Sequence, residues 1–288
     1  MENCMKQYRH LLLDKAESLN DNLLADLKHK IFSGAVALPD VSYQTFCDTM
    51  HHWLTHDTSN VLSGLDQFNR EVCVGVTDFI NNLIMLHGID NLQIFEHDYT
   101  YYRRLSPDKI WATVGNLIPN KPLVIALPFP GAGDIRADMQ QILAEAVEKN
   151  IPVHIDCAWL SSAKNIVFDF DHPAIKSVAF SLSKGLALGW NRVGVRYIKH
   201  ISSTDAITIA NKFGTVNTID LSIGMLFMEN FPQSYLWNKY GDLYNEACRT
   251  FLVKPTKCIH MAKHFNTGKP CSFRDIFFAM ENDNGSVV

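Results

Sequence analysis

The sequence lacks an excess of positive charge. Its 26 Lys and Arg are outnumbered by 30 Asp and Glu, so the net charge is −4 at pH 7, and no cluster of Lys and Arg is visible along the 288 residues. A nucleic-acid backbone or an anionic membrane surface is held by a basic patch. We therefore expect no nucleic-acid partner and no binding to a membrane surface.

Long apolar runs are also absent. The longest uninterrupted stretches, such as residues 123–127, have the length of a strand and fall short of the roughly 18 residues of a membrane span. The first six residues carry neither the basic segment nor the apolar core of a secretory signal. The sequence predicts no membrane segment and a cytoplasmic location.

Paired cysteines are missing as well. The seven cysteines are an odd number, lie far apart and form no C-x-x-C pair. This pattern argues against a disulfide framework and against a zinc site. Reduced thiols are typical of the cytoplasm, and no metal site is predicted.

What the sequence does have is enough apolar residues for a large core. It is 47% hydrophobic and 19% charged, and its length suits one large domain with a smaller appendage. Hydrophobic periodicity and turn residues predict alternating strands and helices after residue 70, with helices before and after that region. The predicted strands are 71–74, 92–95, 123–127, 152–156, 177–181 and 193–198, and the predicted helices are 8–32, 43–55, 77–86, 135–150, 207–213, 221–231 and 236–252.

Alternating strands and helices of this length predict an α/β fold. We expect a mainly parallel sheet, flanked by helices on both faces and joined by right-handed crossovers. The predicted organisation is a helical N-terminal segment at residues 1–60, an α/β core at 61–205 and a helical, reduced C-terminal region at 206–288.

Polar residues follow the predicted strands at the edge where such sheets bind ligands. They are Thr77, Asp156, the turn 181–184 that ends in Lys184, and Arg192. Taken singly, each has a commoner explanation, as a helix cap, a turn former, a solvated lysine or a surface ion pair. Together they place a carboxylate, an amine, hydroxyls and a guanidinium around one crevice. That set suits an aldehyde cofactor with a pyridine ring and a phosphate.

Three segments resemble the aspartate aminotransferase superfamily of pyridoxal-phosphate (PLP) enzymes, which have class I/II aminotransferase sequences. Residues 181–184 (Ser-Leu-Ser-Lys) and 189–194 (Gly-Trp-Asn-Arg-Val-Gly) resemble the Schiff-base motif, including its lysine-to-arginine spacing of eight. Residues 152–159 resemble the strand whose aspartate pairs with the pyridine nitrogen, and residues 74–77 resemble the phosphate loop. The likeness covers roughly residues 40–250 and implies a PLP-binding core.

The resemblance assigns a role to each matching residue. Lys184 would form the Schiff base and act as the base at Cα, and Asp156 would keep the pyridine nitrogen protonated. Tyr99 stands where family members often stack an aromatic ring on the pyridine, although packing is the commoner fate of the tyrosines at 99, 101 and 102. The phosphate would be held by Gly75, Val76, Thr77, Ser181, Ser183 and Arg192.

The sequence departs from the family pattern around the pyridoxal O3′. The family's Asn-Pro-x-Gly segment is replaced by residues 129–133 (Phe-Pro-Gly-Ala-Gly), so its asparagine donor is missing. Trp159 stands three residues after Asp156, where the family commonly has tyrosine. An indole N–H donates a hydrogen bond but neither accepts one nor ionises. Both changes leave the reaction specificity open.

A third departure is the short C-terminus. Only about 35 residues follow residue 252, too few for the family's usual C-terminal domain and its carboxylate-binding arginine. Arg274 is the weak candidate for that substrate role, with a surface arginine as the commoner alternative. Arg103 and Arg104 have no better support.

The sequence therefore predicts a PLP-dependent enzyme that acts on an amino acid or another primary amine through a Schiff base at Lys184. An aminotransferase is the first expectation, and the resemblance implies a homodimer. A PLP-dependent lyase, decarboxylase, racemase or cyclase in a biosynthetic pathway is the alternative. A non-catalytic binding subunit with the same fold is a further one.

Overall fold

The computed structural model describes residues 5–285 of the chain, with side chains to residue 283. The predicted absence of a secretory signal concerns mainly residues 1–4, which lie outside the described residues, as does Cys4. The helices are α1 (Asn22–Phe32), α2 (Tyr43–Thr55), α3 (Gly75–His87), α4 (Tyr101–Leu105), α5 (Met139–Glu148), α6 (Ala206–Phe213), α7 (Thr218–Asn230), α8 (Tyr235–Phe251) and α9 (Arg274–Gly285). The strands are β1 (Val61–Ser63), β2 (Asn69–Cys73), β3 (Gln93–Ile94), β4 (Leu123–Ala126), β5 (Val153–Cys157), β6 (Val167–Asp169), β7 (Ile175–Ser181), β8 (Gly194–Ile198), β9 (Val253–Pro255), β10 (Ala262–His264) and β11 (Pro270–Cys271).

The central sheet has six strands in the order β2-β8-β7-β5-β4-β3. Strands β3, β4, β5 and β7 are parallel, whereas β8 is antiparallel to both β7 and β2. The segment between β7 and β8 contains no helix, so it returns the chain as an antiparallel neighbour rather than as a crossover. The predicted α/β fold with a mainly parallel sheet flanked by helices is confirmed.

Helices cover both faces of this sheet, because side chains alternate between the faces along each strand. Val124 of β4 packs with Phe79, Ile80 and Leu83 of α3 on one face. Its neighbour Ile125 belongs to the larger cluster on the other face, which includes helix α5. Every residue of β4 and β5 is buried, as expected for central parallel strands.

The predicted helix at residues 8–32 is interrupted, because Gln7–Leu11 form a short 3-10 helix and the chain is not helical again before residue 22. Helix α1 starts only at Asn22, with Asp21 as the N-cap that accepts a hydrogen bond from the Leu24 N–H at 2.8 Å. Residues 12–20, which we call the strap, are extended instead. Leu13 pairs with Ser272 through two backbone hydrogen bonds of 2.9 and 3.2 Å, and a local periodicity cannot reveal a partner so distant in sequence.

The C-terminal region contains α6, α7 and α8, close to the three predicted helices. It also contains a three-stranded antiparallel sheet, β11-β10-β9, and helix α9, which the sequence pattern does not predict. Strands of two or three residues are too short to carry a periodic signal. Between residues 5 and 285, no helix combines the length and the hydropathy that crossing a bilayer requires.

Candidate active site

The predicted phosphate ligands meet where helix α3 begins. Strands β2 and β7 end at this edge of the sheet and β8 starts there, so the segments that follow or precede them converge. Arg192 donates a hydrogen bond from Nη2 to Thr77 Oγ1 at 3.0 Å. Ser181 Oγ donates to Ser183 Oγ at 2.8 Å and accepts the Ser183 backbone N–H at 3.1 Å. A guanidinium and three hydroxyls therefore surround the first turn of α3.

Gly75 leaves room for an anion among these groups. Its φ of +69° is left-handed, and a Cβ built on it would lie 3.0 Å from Arg192 Nη2 and 3.4 Å from Ser181 Oγ. The space is thus bounded by donors and would be filled by any side chain at position 75. The open N–H groups and the dipole at a helix N-terminus also favour an anion. Val76 can contribute only its backbone, because its side chain is buried in the core. The residues present fit a phosphate group.

Asp156 lies at the end of β5, in the middle of the sheet edge. It is 4% exposed, and its Oδ1 accepts the Ala158 backbone N–H at 2.9 Å. Burial raises the pKa of Asp156 to about 6, against the lowering effects of the Ala158 hydrogen bond and of the Lys184 charge. A buried carboxylate in this position suits the protonated nitrogen of a pyridine ring, whose charge would stabilise the ionised form.

Lys184 is half-buried beside Asp156. Burial lowers the pKa of the Lys184 amine below its ordinary value. Among its charged neighbours Glu17 opposes this shift most strongly, Arg192 adds to it, and Asp156 opposes it. The Nζ atom lies 4.9 Å from the centre of the Trp159 ring. Burial and the nearby Arg192 guanidinium favour a neutral, nucleophilic amine.

Tyr99 lies on the loop after β3, half-exposed and stacked on Tyr101 at 5.7 Å between ring centres. Asp98, which the sequence reasoning missed, accepts the backbone N–H groups of Tyr99 at 2.6 Å and Ala126 at 3.1 Å. Burial, and then the Asp156 charge, raise the pKa of Asp98 to about 7. Asp98 thereby ties the Tyr99 loop to the end of β4. From the sequence, Asp98 could have been found by its position directly before Tyr99.

Two further residues missed from sequence hold the Lys184 turn. Ser161 Oγ donates to the Ser181 carbonyl at 3.2 Å and accepts the Gly185 N–H at 3.0 Å. His260 is fully buried, with Nε2 2.9 Å from the Lys184 carbonyl and Nδ1 accepting the Leu19 N–H at 3.2 Å. The Leu19 bond makes Nε2 the protonated nitrogen, and burial lowers the pKa of His260 to about 4. No local pattern points to His260, because its partners are distant in sequence.

Arg274 stands at the start of α9, in contact with two carboxylates. Its Nε donates to Asp275 Oδ1 at 2.7 Å, and its Nη1 lies 3.4 Å from Glu17 Oε2. Arg103 instead lies over the Trp111 ring and 3.7 Å from Glu96. Glu17 thus contacts Arg274 directly and acts on the pKa of Lys184 only through its charge.

Groups of His, Cys, Asp and Glu that could hold a metal ion are not found in the part of the chain that the structure describes. The six described cysteines are all buried and unpaired.

No protein-family model and no curated protein matches the sequence. The structure, however, resembles several solved enzymes. It matches an aromatic-amino-acid aminotransferase from Burkholderia pseudomallei covalently bound to pyridoxal phosphate, with a TM-score of 0.58 and 12% identity over 88% of this chain and 78% of that one. It matches a tyrosine aminotransferase from Leishmania infantum with a TM-score of 0.58 and 13% identity over 85% and 78% of the two chains.

A PLP-bound C–S lyase from Staphylococcus hominis is similar to the same degree, with a TM-score of 0.55 and 10% identity over 88% of this chain and 76% of that one. At this identity the likeness concerns the fold. Over most of its length, the chain has the fold of the PLP-dependent aminotransferase fold-type I enzymes.

Proposed function

We propose that the protein is a PLP-dependent enzyme that acts on the amino group of an amino acid or another primary amine, and that its reaction is transamination. The observation that carries the proposal is the meeting of Lys184, Asp156 and the donors around Gly75 at one edge of the sheet. When bound, PLP supplies an aldehyde for the substrate amine and an electron sink for the bonds at its Cα.

Each residue then has a defined task. Arg192, Thr77, Ser181 and the first N–H groups of α3 bind the phosphate as donors. Asp156, as a carboxylate, would accept a hydrogen bond from the protonated pyridine nitrogen, which keeps the ring cationic. Lys184 would hold the aldehyde carbon of the cofactor, and its amine, once free, would be the base that takes the proton from the substrate Cα. Its lowered pKa makes the neutral amine available at a pH nearer to 7.

Trp159 favours a second candidate, a PLP-dependent lyase, decarboxylase, racemase or cyclase. Its indole ring lies beside the Lys184 amine and can neither accept a proton nor ionise. Trp159 would therefore offer no hydroxyl to the pyridoxal O3′, where family members commonly have tyrosine, and this change favours a reaction other than transamination. The non-catalytic alternative is not favoured, since Lys184, Asp156 and Arg192 all remain in place.

We also propose a homodimer that covers the surface beside the Arg192 loop. Trp190 on this loop is 92% exposed. The side chains of Val74, Met85 and Ile219 are also exposed. Val74, Met85 and Arg192 line one cavity of about 310 Å³. Exposed apolar side chains next to one cavity are typical of a protein interface. Light scattering should give the mass of a dimer, and Trp190→Ser should shift it toward the monomer.

Absorbance spectroscopy tests the cofactor assignment. The protein mixed with PLP should gain a visible band that borohydride removes and that Lys184→Ala lacks. Single amines added to the loaded protein then separate the candidates. A transaminase converts the cofactor to the pyridoxamine form and needs a keto acid or aldehyde to continue, whereas a lyase or racemase turns over without one. A protein that stays colourless with PLP would contradict the proposal.

A further inference from the structure

Glu17 is the carboxylate of the strap that contacts Arg274. Its side chain is 30% exposed, and its Oε2 lies 3.4 Å from Arg274 Nη1. Lys15 is 2.5 Å from the other carboxylate oxygen. Glu17 is also the charged group that most strongly raises the pKa of Lys184. One carboxylate of the chain therefore interacts with both the reactive amine and the weak candidate for substrate binding.

The strap that carries Glu17 is fixed on both sides of this residue. Leu13 pairs with Ser272, two residues before Arg274. Leu19 donates its N–H to His260, whose other ring nitrogen contacts the Lys184 carbonyl. Beyond it, Asp21 is an ion-pair partner of Lys239 at 2.6 Å. Glu17 thus lies between two attachment points, one to Ser272 just before α9 and one to His260, which contacts the Lys184 carbonyl.

Most of the N–H donors of the Arg274 guanidinium already face carboxylates of the chain and are not free to bind a substrate. Its Nε and Nη2 face the two carboxylate oxygens of Asp275 at 2.7 and 3.4 Å, and its Nη1 faces Glu17. A bidentate carboxylate clamp needs two N–H groups on one edge of the guanidinium. Asp275 occupies one such edge, and Glu17 takes a nitrogen of the other.

An incoming α-carboxylate would therefore have to displace Glu17 or approach two carboxylates already on Arg274. Like charges at such distances raise the free energy of the bound state. A substrate ammonium meets no such repulsion at Glu17, whose own charge is shared between Arg274 and the exposed Lys15. The charge arrangement therefore disfavours the carboxylate of an amino acid.

Resting on the proposed function, we infer that Glu17 is a specificity-determining residue that occupies Arg274 and restricts the site to primary amines with no carboxylate on the amine-bearing carbon. Arg274 then serves to hold Glu17 in place. An amino acid would become a good ligand only when position 17 loses its charge.

Matched ligand pairs test this inference by spectral titration of the PLP-loaded protein. Ethylamine is compared with alanine, and phenethylamine with phenylalanine, because each pair differs by one carboxylate. In the natural protein we expect the amine to bind at least about tenfold more tightly than the amino acid. Glu17→Gln should reverse or abolish this preference. Asp14→Asn is the control, since it removes one negative charge from the same strap at an exposed position.

Calorimetry on the protein without PLP gives a readout that does not depend on the cofactor. Glu17→Gln should bind 3-phenylpropanoate about tenfold more tightly than the natural protein does, and Glu17→Gln/Arg274→Gln should lose this gain. If PLP does not bind at all, the proposed function fails and this second readout still decides the role of Glu17. Equal binding of amine and amino acid by the natural loaded protein, or no gain of carboxylate binding in Glu17→Gln, overturns the inference.

Discussion

Arg192 and Thr77 are 115 residues apart in sequence and are joined by a 3.0 Å hydrogen bond from Nη2 to Oγ1. This contact places the guanidinium over the first turn of α3. The positive charge, the Thr77 hydroxyl and the helix N-terminus then face the same small space beside Gly75. Most of the affinity for a phosphate should come from this arrangement, because charge-assisted hydrogen bonds are the strongest that the site can make.

Substitution of Arg192 should weaken PLP binding without unfolding the protein. Loss of hydrogen bonds to a charged group costs about 1.5–3 kcal/mol each, so Arg192→Gln should raise the Kd for PLP about 10- to 100-fold. Equilibrium dialysis against PLP measures this change. Arg70→Gln is the matched control, since Arg70 pairs with Asp48 at the surface. An unchanged Kd in Arg192→Gln would contradict the phosphate assignment.

Gly75 and Gly34 both have a left-handed backbone, but only Gly75 borders the proposed phosphate space. Comparing them separates the effect of backbone strain from the effect of filling that space. Gly75→Ala adds a methyl group within 3.0 Å of Arg192 Nη2, whereas Gly34, with φ +77°, has nothing within 4 Å of the equivalent position. Both substitutions should lower the free energy of unfolding by about 1–2 kcal/mol, the usual cost of this backbone region. Only Gly75→Ala should also lose PLP binding. Urea unfolding and PLP titration of both variants test the prediction, and full PLP affinity in Gly75→Ala would argue against it.

The sheet was the most predictable part of the molecule, and the residues proposed for the cofactor were also proposed from local sequence patterns. Strand β4 is a continuous apolar run, and the spacing from Lys184 to Arg192 is local in sequence. Glu17 and His260 could not be found in this way. Each acts through contacts with segments far along the chain, and the strap has no periodic pattern to show that it is extended. The antiparallel direction of β8 could not be predicted either. It follows from the helix-free connection after β7 and is not visible in the residues of the strand itself.

His260 should make stability depend on pH in acid. The pKa of His260 in the folded protein, about 4, lies below its ordinary value of 6.5. The stability contributed by the buried neutral ring is therefore complete above pH 6.5 and is lost as the pH falls toward 4. His260→Gln lacks this titration. The stability advantage of the natural protein over His260→Gln should shrink by about 1–2 kcal/mol between pH 7.5 and pH 5. Urea unfolding at the two pH values measures it, and a constant difference would be the contrary result.

Asp98 should have the opposite dependence. Its pKa is raised from 3.8 to about 7 in the folded protein. The stability that it contributes is complete below pH 3.8 and is lost as the pH rises through about 7. From pH 5 to pH 8 the natural protein should lose roughly 2 kcal/mol relative to Asp98→Asn. Asp26→Asn, which removes an exposed partner of Lys30, should leave the difference unchanged. If the stability difference between the natural protein and Asp98→Asn did not change from pH 5 to pH 8, Asp98 would be ionised in the folded protein throughout this range.

The most direct test of the central claim is to locate the cofactor on the chain. The protein is incubated with PLP, reduced with borohydride, digested and mapped by mass spectrometry. We predict that the mass of one reduced cofactor is found on the peptide that contains Lys184, and that Lys184→Ala is unlabelled under the same conditions. Label distributed over other lysines, or equal labelling of Lys184→Ala, would contradict the account.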